Sequence, residues 1–329
     1  MVLLSFLFIL CSCKELVGQN QEEMNNKAIA LLGNLYRDVK YLDKEVSYHA
    51  VVSSGAATVE VYINGYPIHR EPAVVGKSGS KSGSNPINKY ILQSGEQHWE
   101  VRVYPAISPK TINFEKEISK NARFIVRLEK LRFTDVGVET LADPIVLIET
   151  PINYESDNSG NVEEVYKDAG KPMMVYKGTF AAQVPYVLDG WSKSVDLTQE
   201  NSQTLQKELV EKYKELLKML DERRTGDFAE KIVKREKEIS QALFYTKDLN
   251  DDYMETFFEG YDKKDKKMKP LENYKMVFFG KNLIALESND INYLYKPSLI
   301  ATYNNDKRRN NYLMFFHRPK PGAPLEIIR

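Results

Sequence analysis

The four histidines are the first side chains to consider, because histidine is the commonest metal ligand and a frequent general base. They are His49, His69, His98 and His317. No two of them have the HxH, HxxxH or HExxH spacing that a zinc site requires. We therefore predict surface or strand-end roles for all four, and no metal site.

Nucleophilic and acid–base catalysis have no recognisable motif either. No G-x-S-x-G occurs, and the only cysteines are Cys11 and Cys13. Among 46 acidic residues, no pair is marked as a catalytic acid and base. Asp248, Asp251 and Asp252 lack the EF-hand calcium pattern. We predict a binding protein without a cofactor, and a hydrolase whose site is assembled only in the fold is the alternative.

The charge balance and the glycine pattern argue against nucleic-acid and nucleotide binding. Lys plus Arg and Asp plus Glu both total 46, whereas a nucleic-acid-binding domain normally carries a basic face. The Gly/Ser-rich run at 76–84 has neither a GxGxxG nor a GxxxxGKS/T match. It is predicted to be a polar loop.

Two groups of residues are candidates for an interaction surface. The first is basic and consists of Lys263, Lys264, Lys266, Lys267, Lys269, Arg308 and Arg309. Such a run is typical of a solvated loop, and it also suits contact with anionic lipid headgroups or an acidic protein partner. The second group is Tyr293, Tyr295, Tyr303 and Tyr312. These tyrosines are expected either to pack at the edge of the core or to form a recognition patch.

The beginning of the sequence predicts where the protein is located. Residues 1–10 contain one polar side chain, Ser5, and are too few to span a bilayer, which needs about 20. They suit the apolar part of a secretory signal. The next residues, Leu10 to Cys13, resemble the lipobox of bacterial lipoproteins. The resemblance implies that residues 1–12 are a signal peptide, and that a lipid on Cys13 anchors the mature chain to the membrane.

This resemblance covers 13 residues, and one feature departs from the pattern. No Lys or Arg precedes the apolar run, which an upstream start codon would explain. A short buried core segment is the alternative interpretation. Lys14 follows the cysteine where Asp would signal inner-membrane retention in enteric bacteria. The resemblance therefore implies the outer membrane, on its periplasmic or its surface face.

Periodicity divides the mature chain into parts. Residues 13–45 are predicted to be a tether with an amphipathic helix, apolar at spacings of three and four, that packs on the next domain. Residues 46–190 are predicted to form strands; residues 58–63 alternate between apolar and polar, and the hairpin signal Asn64-Gly65 follows them. Residues 58–104 resemble the jelly-roll or immunoglobulin-like β-sandwich modules of envelope proteins, which implies a β-sandwich domain.

Residues 195–329 are predicted to form an α+β domain. Leucines recur at helical spacing from Leu205 to Leu220, and Asp227 with Glu230 forms a capping box for a second helix. Short strands follow. The predicted fold is thus α+β and multidomain, with an N-terminal antiparallel β-sandwich followed by a helical hairpin packed on a small antiparallel sheet. The boundary is placed at 188–204.

Together these features favour a non-catalytic envelope lipoprotein that binds a protein partner. One concrete form is a periplasmic immunity protein that captures a secreted toxin. A carbohydrate- or lipid-binding lipoprotein is the second hypothesis, and the hydrolase mentioned above is the third.

Overall fold

The structure is a computed structural model that describes residues 20–77, 81–134, 136–156 and 159–329. The proposed signal peptide and Cys13 lie outside these residues. The predicted α+β class is confirmed: antiparallel sheets dominate the N-terminal part, and helices with small sheets follow.

The N-terminal part is built from twelve strands, of which eight form two facing four-stranded antiparallel sheets. The strands are β1 (Ser47–Gly55), β2 (Thr58–Ile63), β3 (Tyr66–Glu71), β4 (Lys81–Pro86), β5 (Gly95–Tyr104), β6 (Ile107–Ser108), β7 (Asn113–Phe114), β8 (Arg123–Thr134), β9 (Gly137–Glu149), β10 (Ile152–Ser156), β11 (Val162–Tyr166) and β12 (Met174–Ala182). One sheet has the order β4-β1-β8-β9 and the other β12-β5-β2-β3. Part of the predicted Gly/Ser loop is thus strand β4.

Alternation in the sequence explains the sandwich. Every second residue of β1 is buried, as expected for a strand with one face on a core. Its Val52 packs with Val59, Val101 and Phe124 in a cluster drawn only from this part of the chain. The predicted turn at Asn64 and Gly65 is confirmed, with φ of 50° and 78°.

The remaining elements include four helices and seven strands within the described residues. They are α1 (20–32), α2 (Ser202–Asp221), α3 (Thr225–Ala242), α4 (Lys247–Tyr261), β13 (Lys267–Met268), β14 (Tyr274–Phe279), β15 (Leu283–Ser288), β16 (Ile300–Tyr303), β17 (Arg308–Asn311), β18 (Phe316–His317) and β19 (Glu326–Ile327). Short 3-10 turns occupy Leu35–Asp38, Leu42–Lys44, Asn88–Tyr90, Leu197–Gln199 and Ile291–Tyr293. The strands form the sheets β13-β16-β17 and β14-β15-β18-β19.

The predicted helical hairpin is confirmed as α2 and α3, but the predicted capping box is wrong. The N-cap of α3 is Arg224, and Asp227 lies inside the first turn. The Asp227 carboxylate is occupied by other donors, since Lys27 Nζ lies 2.9 Å away and Arg224 Nε 2.7 Å away. The Asp227 side chain, which the local sequence assigns to the helix cap, is therefore used in ion pairs with Lys27 and Arg224 instead.

The helix near the tether does not pack on the sandwich, contrary to the prediction. Ala28 and Leu32 of α1 are fully buried in a cluster with Phe228 of α3 and Phe257 of α4. The apolar stripe was correctly predicted, but its partner lies about 200 residues further along the chain. Sequence spacing cannot reveal such a partner, because periodicity reports only that one face is buried.

The two parts of the chain share a hydrophobic cluster. Tyr66 of the sandwich stacks on Tyr90 at 4.1 Å and meets Phe315 at 4.5 Å between ring centroids. Gly65 also approaches Gly280 so closely that a Cβ on Gly65 would lie 3.2 Å from the Gly280 Cα atom. The division of the chain at 188–204 stays a prediction. The parts on either side of it pack against each other through one shared hydrophobic cluster.

Candidate functional site

Four of the predicted interaction residues line one cleft. Lys269, Tyr293, Arg308 and Arg309 surround a cavity of about 520 Å³ on the C-terminal part. Its remaining lining includes Glu272, Asn273, Ser288, Asp290, Ser298, Asp306 and Lys307. We call it the basic–aromatic cleft.

The strands β13, β16 and β17 position the basic side chains of the cleft. Lys267 pairs with Thr302, and Tyr303 pairs with Arg308. The turn between β16 and β17 contains Asn304, Asn305 and Asp306, all with positive φ. Asparagine and aspartate tolerate this conformation best among non-glycine residues, which is why the chain can reverse here.

The chemistry of the cleft combines cations with an exposed ring. The Arg309 guanidinium lies 4.4 Å from the centroid of the Tyr293 ring, and Tyr293 is 44% exposed. Lys269 Nζ lies 3.3 Å from the Asp306 carboxylate. The Asp290 carboxylate is occupied by the Asn292 amide nitrogens.

Several cations of the cleft have no counter-ion. In the described part of the chain, Lys307 and Arg308 are exposed and form no ion pair. The Nε atom of Arg309 is buried there without a hydrogen-bond partner. A guanidinium with free donors is suited to carboxylates and phosphates, so the cleft has the chemistry of an anion-recognising surface.

The other lysines of the run differ in their exposure to solvent. Lys263 Nζ lies 4.2 Å above the ring of Tyr303, and Lys264 and Lys267 are exposed. Lys266 is buried at 9% exposure and donates to the Tyr261 carbonyl at 2.7 Å. Burial, followed by the nearby Arg223, lowers the pKa of Lys266 to about 8. Lys266 therefore does not belong to the exposed face.

Two of the four predicted tyrosines have internal contacts. Tyr312 is 5% exposed, and its hydroxyl donates to the Gly260 carbonyl at 2.8 Å. Tyr295 adopts φ 65° and contacts the sandwich, where the Arg70 guanidinium lies 4.9 Å from its ring. Only Tyr293 and Tyr303 take part in the exposed basic surface.

A charged cluster that the sequence did not reveal lies where the two parts meet. Arg70 pairs with Glu287 at 2.5 Å, with side chains only 8% and 2% exposed. Glu60 is 5% exposed and accepts from Tyr62 at 2.7 Å. A hydrogen bond from Tyr295 also reaches Glu60. We call Arg70, Glu287, Glu60, Tyr62 and Tyr295 the junction cluster. Their polar groups are partners of one another, which indicates a structural role.

One arrangement superficially resembles a hydrolytic dyad. Ser194 Oγ lies 2.6 Å from His317 Nδ1, and burial lowers the pKa of His317 to about 4. However, the other ring nitrogen is buried with no hydrogen-bond partner in the described residues. In a serine hydrolase a third group orients the histidine there. This pair instead holds the 192–196 loop against the C-terminal sheet.

The hairpin of β8 and β9 exposes a second, apolar surface. Val136 is 98% exposed, Val138 58% and Val146 53%. Exposed edge strands are possible pairing sites, but β9 shifts register against β8 three times and carries Pro144. Bulges and proline interrupt the ladder that a strand-adding partner would use, so the cleft is the better candidate.

Neither a metal site, a membrane-spanning helix nor a known relative identifies the function of the described residues. Among residues 20–77, 81–134, 136–156 and 159–329, no group of three His, Cys, Asp or Glu side chains could hold a metal ion. In the same ranges no helix is both long and apolar enough to cross a bilayer. The chain matched no protein-family model, no curated protein and no solved structure. Function must therefore be argued from the cleft itself.

Proposed function

We propose that the protein is a membrane-tethered envelope lipoprotein that acts by binding an acidic protein partner, not by catalysis. The observation that carries this proposal is Arg309 lying over the exposed ring of Tyr293 beside Arg308, which has no ion-pair partner in the part of the chain that the structure describes. Arginine and tyrosine are the residue types that dominate binding energy at protein interfaces. The anchor is the lipid proposed for Cys13.

The chemistry of the cleft favours an acidic partner. Lys307 and Arg308 project from the rim without counter-ions among the described residues. Unmatched surface cations attract an anionic partner over several ångströms and accelerate association. The packing of Tyr293 disfavours a carbohydrate ligand, because sugar rings stack on an open aromatic face and one face of Tyr293 is covered by Arg309.

Photo-crosslinking in cells that make the protein naturally tests the partner site. Benzoylphenylalanine at Tyr293 should capture one defined protein, whereas the same reporter at Tyr154, which is 70% exposed on the sandwich, should not. The K307E/R308E variant should abolish capture at Tyr293. A matched reversal on the sandwich, K110E/K116E, should leave it intact. Equal capture from both reporters would contradict the proposal.

The anchor and the absence of catalysis need separate tests. A palmitate analogue should label the wild-type chain, and Cys13→Ser should lose both the label and the salt-resistant membrane association. If Cys13→Ser still labels, the assignment of the anchor is wrong. Turnover of a lipid, peptide or glycan by the purified protein, abolished by Ser194→Ala, would establish a hydrolase instead.

A further inference from the structure

We propose that the lysine end of the C-terminal part rests on the anionic headgroups of the membrane that holds the lipid anchor. The lysine end is defined as Lys263, Lys264 and Lys267. The inference rests on the proposed anchor at Cys13 and specifies which face of the protein it brings to the bilayer.

The first step is that α1 is fixed to this end of the molecule. Gln21 Nε2 donates to the Arg223 carbonyl at 3.0 Å, and Asn25 Nδ2 donates to Asp262 at 2.9 Å. Thr225 Oγ1 donates to Asn25 at 2.7 Å. The first described turns of α1 are thus bound to the α2–α3 turn and to the end of α4.

The second step is the length of chain between the anchor and α1. Residue 20 follows Cys13 by seven positions, and seven residues span at most about 25 Å when fully extended. This distance is shorter than α2, whose 20 residues extend about 30 Å. The proposed anchor therefore keeps the start of α1, and with it the end of α4 that Asn25 binds, on the side of the molecule that the bilayer can reach.

The third step is that the lysine end begins at this point. Lys263 directly follows Asp262, the residue that binds Asn25. Lys263 is supported by the Tyr303 ring at 4.2 Å, while Lys264 and Lys267 are exposed and unpaired among the described residues. The tether and the lysines consequently occupy the same end of the protein.

The nearby carboxylates do not cancel this charge. Asp262 is engaged by Arg223 at 3.2 Å, and Asp265 accepts from the Asn304 backbone at 2.8 Å. Asp306 is engaged by Lys269. Glu22 and Glu23 at the start of α1 are also exposed at this end. The excess of positive charge is therefore confined to the loop that carries Lys263, Lys264 and Lys267, and this loop complements an anionic lipid surface.

The size of the effect follows from surface electrostatics. A lysine held at an anionic surface increases partitioning roughly fivefold, so three lysines predict about a hundredfold increase. The attraction declines beyond a Debye length of about 8 Å at physiological salt. The attraction therefore requires the lysine end to lie at the headgroups, and it weakens at high salt.

A depth measurement on the full acylated chain tests the orientation. In the mature chain the anchor is the one native cysteine, so a fluorophore can be placed at Lys264→Cys or, as control, at the exposed Lys110→Cys on the sandwich. The protein is reconstituted in vesicles of phosphatidylcholine mixed with phosphatidylglycerol. Headgroup-attached nitroxide should quench the label at 264 strongly and the label at 110 weakly. Equal quenching, or stronger quenching at 110, would overturn the proposed orientation.

A second measurement separates this inference from the anchor. The full chain with Cys13→Ser should bind phosphatidylglycerol-containing vesicles at least about a hundredfold more tightly than does the same chain carrying K263E/K264E/K267E, because each substitution removes a positive charge and adds a negative one. The matched K110E/K116E variant should bind like its parent. Absence of palmitate labelling in the wild-type chain would refute the anchor alone. Unchanged vesicle binding, with loss of the crosslink from Tyr293, would assign the lysines to the protein partner and overturn the inference.

Discussion

Two clusters in this protein combine the same residue types but lie at different depths. In the junction cluster, Arg70 lies 4.9 Å from the ring of Tyr295 and is paired with Glu287. In the basic–aromatic cleft, Arg309 lies 4.4 Å from the ring of Tyr293 and has no carboxylate partner among the described residues. The two tyrosines are only two positions apart in the sequence.

The difference shows how one kind of contact can serve two purposes. A cation that is buried with its carboxylate is satisfied inside the fold, and removing either partner leaves an uncompensated charge. A cation that lies on an exposed ring without a carboxylate contributes little to folding but remains free to attract a partner. We therefore expect the junction cluster to control stability and the cleft to control association.

The largest expected effect is the loss of the buried carboxylate of the junction cluster. Glu287→Gln should lower the free energy of unfolding by about 3–5 kcal/mol, because Arg70 would remain buried without its counter-ion. Urea denaturation measures this difference. As a matched control, Glu163→Gln breaks the exposed pair with Lys120, whose side chains are 53% and 51% exposed, and should cost less than about 1 kcal/mol. Similar losses of stability in the two variants would contradict our assignment of the Arg70–Glu287 pair as buried and the Lys120–Glu163 pair as exposed.

The next effect concerns the buried His317 and depends on pH. Its pKa is lowered from 6.5 to about 4 by burial, so between these values the unfolded chain binds more protons than the folded one. Stability should therefore be fully present above pH 6.5 and fall by about 3 kcal/mol as the pH drops towards 4. His317→Gln should flatten this part of the urea-midpoint profile. His98→Gln, at an exposed histidine, should retain the wild-type slope, and a retained slope in His317→Gln would refute the prediction.

The two tyrosines allow the most direct comparison between the clusters. Tyr295→Phe should lower the free energy of unfolding by about 1–2 kcal/mol, because Glu60 would lose one hydrogen bond in a buried site. Tyr293→Phe removes the same atom from an exposed ring and should change stability by less than about 0.5 kcal/mol. Chemical denaturation of both variants under the same conditions measures the two changes in the free energy of unfolding. A larger loss for Tyr293→Phe would reverse our assignment of the two side chains.

The smallest effect on stability is expected at the rim of the cleft. K307E/R308E should change the free energy of unfolding by less than about 0.5 kcal/mol per site, since both side chains are exposed and unpaired among the described residues. Association with the protein captured at Tyr293 should slow about tenfold and become less sensitive to salt. Stopped-flow measurements at two ionic strengths test this. A rate that does not change would remove the cleft as the steering surface.

Part of this architecture was determined by local sequence. The strand at 58–63 and the Asn64-Gly65 turn were predicted correctly, and so was the hairpin of α2 and α3. These features follow from periodicity and turn chemistry, which depend on residues that are close together in the chain. The sequence also selected four residues that line the cleft: Lys269, Tyr293, Arg308 and Arg309.

Only the tertiary structure decided which side chains face inwards. Lys266 is buried although its neighbours Lys264 and Lys267 are exposed, and Tyr295 belongs to the junction cluster while Tyr293 does not. The ion pair of Arg70 and Glu287 joins residues 217 positions apart. Local patterns carry no information about such contacts, because burial of a charge becomes tolerable only when a distant part of the chain supplies its partner.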